Sequence, residues 1–189
     1  MNPKADAVRS EAGSQGLSRA RLVSAALELV GDEGLDALSM RALADRLHVK
    51  AASLYWHVRD RRDLLELLAD SILDGVKAPP AAALRPAVLG IASALAAALG
   101  SQRDADRILL EIPEALQRSR PYELMKERLQ KAGMQAVEAA EVARLVMVHV
   151  VISQAGGEPA MPASGATASI AVDSGSRGVI LRHGTDMET

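Results

Sequence analysis

Apolar positions along the chain recur at three- and four-residue intervals almost from end to end. No segment shows the sustained alternation of a strand, which predicts an all-α protein. Ser18 stands where a helix N-cap is needed. Leu22, Ala26 and Leu29 then form one stripe, with Val23, Leu27 and Val30 beside it, and Gly31 and Gly34 are expected to end the helix. Ser39 caps a second, short segment with Met40, Leu43, Ala44 and Leu47 on one face. A break at His48-Val49 separates it from a third segment, residues 50–57, which turns Leu54 and Val58 inward. Asp60 and Asp63 suit the N-terminus of a fourth helix carrying Leu65, Leu68, Ile72 and Val76, and Pro79-Pro80 stop it.

Helical patterning continues through 85–99, through 104–111 before Pro113, through 121–132 before Gly133, and through 135–154. Asp104 and Asp106 read as an ordinary charged helix start. Residues 1–16 lack periodicity and read as a flexible arm, and the Gly/Pro/Ser/Ala stretch at about 155–168 reads as a mobile loop. The conformation of the tail beyond it is open. The organisation expected is a flexible arm (1–16), a small three-helix unit (17–62) and a larger helical unit (63–189).

Composition narrows the chemistry. The 189 residues are 49% hydrophobic and 24% charged, enough to bury a full core. Cysteine is absent, which removes disulfides, thiolate metal sites and a cysteine nucleophile. No apolar run reaches the length of a membrane span and no signal pattern opens the chain, so a cytoplasmic protein without membrane contact is expected. The four His (48, 57, 149 and 183) are scattered, with no HExxH, GxSxG or Gly-rich phosphate loop, so no enzyme, cofactor or metal site is expected. The net charge of −2 hides an asymmetry: between 39 and 62, six cations (Arg41, Arg46, Lys50, Arg59, Arg61, Arg62) face two acids (Asp45, Asp60). A basic patch on a mildly acidic chain suggests an anion-binding head. Two of the three aromatic residues, Tyr55 and Trp56, lie inside it.

Residues 39–58, SMRALADRLHVKAASLYWHV, have the layout of a helix-turn-helix. In such a unit the first helix braces the second. The second must pack on one side and be small or polar on the other to enter the major groove. Ala44, Leu47, Val49 and Leu54 suit the packed side, whereas Lys50, Ala51, Ala52 and Ser53 suit the groove side. Tyr55, His57 and Arg61 follow at the edge where phosphates would lie. Trp56 reads as a packing residue of the small head, Tyr55 as either core or phosphate contact, and Arg59 and Arg62 as surface charge.

The stretch from Leu17 to Leu73, and above all Leu54-Tyr55-Trp56-His57-Val58 followed by Arg61 and Leu64-Leu65, resembles the DNA-binding domain of the tetracycline-repressor (TetR) family. The resemblance implies a homodimeric, ligand-responsive repressor that binds a palindromic double-stranded DNA operator. An N-terminal helix-turn-helix domain would be joined to a C-terminal helical domain that binds a small molecule and dimerises. It implies that Arg41 reaches a base edge, that Ala51, Ala52 and Ser53 face the bases beside Lys50, and that Tyr55, His57 and Arg61 touch the backbone. His48 stands where the family usually has a turn glycine. The alternative, kept open by the Ala51-Ala52 opening, is a dimeric helical small-molecule-binding protein without sequence-specific DNA binding.

In the last helix nearly every side from Val142 to Ile152 is apolar, which a dimer explains better than a monomer. By the resemblance, Arg144 and Met147 face a ligand cavity and His149 the partner subunit, with Tyr122 and Met125 on the preceding helix adding to the cavity. An Arg on an apolar stripe needs an anion. That anion is either an acidic or carbonyl-bearing ligand or a neighbouring carboxylate such as Glu141 or Glu111. The absence of Phe suggests an aliphatic pocket and a lipophilic effector.

Overall fold

A computed structural model describes residues 17–80 and 83–156. The arm expected at 1–16, nearly all of the loop expected at 155–168 and the tail lie outside the described residues. Nine α-helices and one short 3-10 turn follow one another, with no strand among the described residues. The described residues form an all-α fold, as the periodicity predicts.

Helix α1, Arg19–Glu33, starts where the Ser18 hydroxyl accepts the Arg21 amide at 3.2 Å. It runs through Gly31, because one glycine in a packed helix costs only about 1 kcal/mol. Gly34 ends it at φ 90°, a conformation that favours glycine. A 3-10 turn, Leu35–Ala37, leads to α2, Met40–Leu47, capped by Ser39 through the Ala42 amide. The third helix, α3, is a single turn, Ala51–Leu54, shorter than the periodicity suggests because residues 55–57 open into turns. Helix α4, Arg61–Asp74, bridges to the rest of the molecule. Two side chains fix its start: Asp60 Oδ1 accepts the Asp63 amide at 2.8 Å, and Asp63 Oδ2 accepts the Arg59 amide at 2.9 Å.

The C-terminal helices are α5, Leu84–Gly100; α6, Ala105–Glu111; α7, Glu114–Arg118; α8, Arg120–Lys131; and α9, Ala136–Ala155. Helix α7 was not predicted, because Pro113 reads as a stop. A proline has no amide to lose at a helix start, so here it opens a new turn. Helix α9 packs against α5, α6 and α8. Leu22, Leu43, Leu54, Leu64, Leu95, Ile108, Met125 and Met147 are all fully enclosed, in one continuous apolar core that runs from α1 to α9. No buried side-chain polar atom among the described residues lacks a partner.

Candidate nucleic-acid interface and ligand groove

The turn between α2 and α3 sets the geometry of the head. His48 adopts φ 55°, ψ 40°, the left-handed conformation expected at this position. Its amide and that of Val49 reach back to the last carbonyls of α2, with Val49 N donating to Ala44 O at 3.0 Å. Leu54 and Val58 are sealed beneath α3. Their burial turns Ala51, Ala52 and Tyr55 outward, with Ser53 and His57 half-buried at the margin.

Trp56 departs from the sequence reading. It is 90% exposed rather than packed, because Leu54 and Val58 already fill the core face on either side of it. Tyr55 is also exposed, so its ring is not core. Ala51 and Tyr55, and Ala52 and Trp56, are each four residues apart, so two small side chains are followed one turn later by two aromatic ones.

The cations of the head divide into two sets. Arg41 on α2 is exposed and Lys50 flanks α3, and neither has an ion-pair partner among the described residues. The others are committed. Arg46 pairs with Asp32 and Glu28 on α1. Arg59 pairs with Asp63 at 3.3 Å, and its backbone amide, aided by this side-chain contact, holds the Asp63 carboxyl below the usual carboxylate range. Arg61 pairs with Glu111 at 2.7 Å and Arg62 with Glu114. Arg61 is thus turned toward α6. Glu111, one of the two acids weighed for Arg144, is spent on it.

Among the C-terminal helices an open groove of about 650 Å³ lies between α8 and α9. Tyr122, Lys126 and Gln130 line one wall, and Val137, Ala140 and Arg144 the other. The Tyr122 hydroxyl donates to Ala140 O at 3.3 Å. Arg144 takes its anion from its own helix. Its Nε donates to Glu141 Oε2 at 3.0 Å, and this bond pulls the Glu141 carboxyl below its ordinary range. Met125 and Met147 do not reach the groove; both are wholly buried on the core side of these helices. An apolar residue on a two-sided helix can face core or cavity, and sequence spacing does not separate the two.

Similarity to known proteins falls into two parts. Residues 22–68 match the family model for bacterial regulatory proteins of the tetR family. An HTH-type transcriptional regulator of Saccharopolyspora erythraea is 48% identical over 63 residues, which are 33% of this chain and only 27% of that regulator. The longer comparison is structural. ActR of Streptomyces coelicolor, solved with (S)-DNPA, superposes with a TM-score of 0.67 at 30% identity, covering 74% of this chain and 70% of ActR. The chain belongs to the TetR family. A second TetR-like structure, BioQ with its double-stranded DNA operator, superposes with a TM-score of 0.65 at 27% identity, over 75% of this chain and 86% of BioQ. The TetR architecture therefore extends well beyond the helix-turn-helix. Its members are DNA-binding regulators rather than enzymes. No single helix among the described residues is long and apolar enough to cross a membrane.

Proposed function

We propose that this chain is a cytoplasmic, ligand-responsive transcriptional repressor that grips a pseudo-palindromic operator as a homodimer and lets go when a small molecule binds. Residues 17–62 would carry DNA binding, and 63–189 ligand binding and dimerisation. The observation that carries the reading is Arg41 and Lys50, without ion-pair partners among the described residues, flanking an exposed Ala51-Ala52 ridge. Cations without internal partners are ready for phosphates and base edges, and two alanines let the backbone of α3 approach the groove floor. Ser53, Tyr55, Trp56 and His57 border that ridge. Arg61 is a weaker candidate, since a phosphate would have to displace Glu111. BioQ's structure with its operator supports the DNA half of the reading.

Dimerisation is supported by α9. Leu145 and Ile152 are exposed on it, with His149 between them. Such a face is costly in water and is satisfied by a second copy. Two heads would then lie about one helical turn apart, roughly 34–36 Å. The effector is a lipophilic small molecule that enters beside Tyr122 and Arg144, and ActR's structure with (S)-DNPA supports a small-molecule site in this architecture. A ligand that favours the released state 100-fold supplies about 2.7 kcal/mol of coupling.

The exposed alanines also favour a second reading, a ligand-binding dimer whose head has no sequence preference. Selection from random-sequence duplexes followed by gel shifts separates the two. A shared motif retained by wild type and weakened by Arg41→Ala supports the repressor. Equal retention of all duplexes supports the second reading.

A further inference from the structure

The head is attached to the C-terminal helices at two places, not one. The bridging helix α4 is the covalent link, and Arg61 at its start is held by Glu111 at the end of α6. The second attachment grips the other end of α6. Four side chains, Gln102, Arg103, Asp104 and Arg107, reach across about seventy residues of sequence to the end of α1 and the turn after it. Gln102 Nε2 donates to Leu27 O at 3.1 Å. Arg103 Nη1 donates to Asp32 O at 3.0 Å. Asp104 Oδ2 accepts the Leu35 amide at 2.8 Å. Arg107 Nη2 donates to Asp36 Oδ1 at 2.8 Å and steadies Asp104 from behind at 3.5 Å.

The chemistry of this clasp is specific. Gly31 O and Asp32 O lie in the last turn of α1, where carbonyls have no partner within the helix, and the positive Arg103 that binds them suits that end of the helix dipole. Asp104 holds a left-handed backbone, φ 57°, to aim its carboxylate at Leu35. Gly34 leaves it room: a Cβ there would sit 3.1 Å from Arg103 Nη2 and 3.3 Å from Asp104 Oδ2.

We propose that Arg103 and Asp104 are positioning residues for operator binding: by fixing the angle of the head they set which half-site spacing a dimer accepts. The inference rests on the dimeric DNA-binding reading above. A head hinged only on α4 could pivot and follow a displaced half-site. A head pinned at both ends of α6 cannot. One inserted base pair turns the second half-site by about 34° and moves it about 3.4 Å.

The test uses the full chain and duplexes selected by wild type from a random pool, then rebuilt with zero, one or two inserted base pairs. Wild type loses about tenfold or more in affinity per insertion, as a rigid pair of heads must when one half-site turns away. Arg103→Ala and Asp104→Gly, the latter compatible with the left-handed backbone, lose less than about threefold, while binding to an isolated half-site stays unchanged. Leu129→Ala, a destabilising change away from the clasp, keeps the sharp wild-type profile. A second readout needs no DNA. The chain has no native cysteine, so spin labels at Asp45→Cys and Lys131→Cys, diluted with unlabelled protein, report the head-to-body distance. The distribution broadens about twofold or more in Asp104→Gly if the clasp sets the angle. An unchanged spacing profile or an unchanged width overturns the proposal. Failure of wild type to select any motif would instead remove the DNA-binding reading, with the label widths still judging the clasp.

Discussion

Gly90 on α5 lies so close to Pro79 that a Cβ at position 90 would stand 2.5 Å from Pro79 Cγ. The contact pins the segment that follows α4 against α5, where no larger residue fits. Gly90→Ala must push the proline ring away, and overpacking of this kind costs about 1–3 kcal/mol. Better helix propensity returns about 1 kcal/mol, so urea unfolding should show a net loss of up to about 2 kcal/mol as a lowered midpoint.

The left-handed His48 offers a test of opposite sign. A non-glycine residue in this conformation carries a cost of about 1–2 kcal/mol, so His48→Gly should gain up to about 1 kcal/mol after its own entropy penalty. His48→Val, β-branched at φ 55°, should lose more than His48→Gly gains. Thermal melts of the two variants should shift in opposite directions.

For Arg41 and Lys50 the expected defects differ in kind. Arg41→Ala should cost about 1–3 kcal/mol on the preferred sequence and relax selectivity at one base pair. Lys50→Ala should weaken all duplexes about equally and lower the slope of log K against log salt by about 1. Salt-titrated binding curves on matched and mismatched duplexes separate them.

Trp56 is the chain's sole tryptophan and stands exposed beside the ridge, so it reports binding without a label. Its emission should be that of a solvated indole in the free protein. It should be quenched or blue-shifted when a selected duplex is added, with a titration midpoint matching the gel shift. An emission unchanged at saturating duplex would place the indole outside the interface.

Acid should loosen the start of α4. Asp63 has a lowered pKa, chiefly through the Arg59 amide. The unfolded chain therefore binds its proton more readily, and the stability Asp63 contributes is complete above the ordinary carboxylate pKa. It is lost as pH falls through the lowered value, below about 4. Asp63→Asn should melt lower at neutral pH and approach wild type near pH 2. Asp36 and Glu141, each lowered by a bonded arginine, add to the wild-type slope in the same window.

The sequence made local features legible. Ser18, Ser39 and Asp60 cap helices because a short polar side chain before an apolar stripe has few other uses, and Leu54 and Val58 point inward because the small head has only one face to bury. Trp56 reads as buried from its size alone, whereas its neighbours Leu54 and Val58 fill the core and leave it exposed. Met125 and Met147 are ambiguous for the converse reason: their helices are apolar enough to face either core or groove, and the structure buries both away from the open groove. Asp104 looked like an unremarkable helix start, since its partner Leu35 lies 69 positions away and a backbone amide leaves no mark in a sequence. Pairing over that distance is a property of the fold.

The bare opening of α3 has one more implication. Ala51 and Ala52 are exposed, so larger side chains there would disturb the fold by no more than about 0.5 kcal/mol. On the proposed reading of α3 as the base-facing helix, descendants of this chain gain new genomic addresses by one or two substitutions at these positions, with the scaffold left as it is.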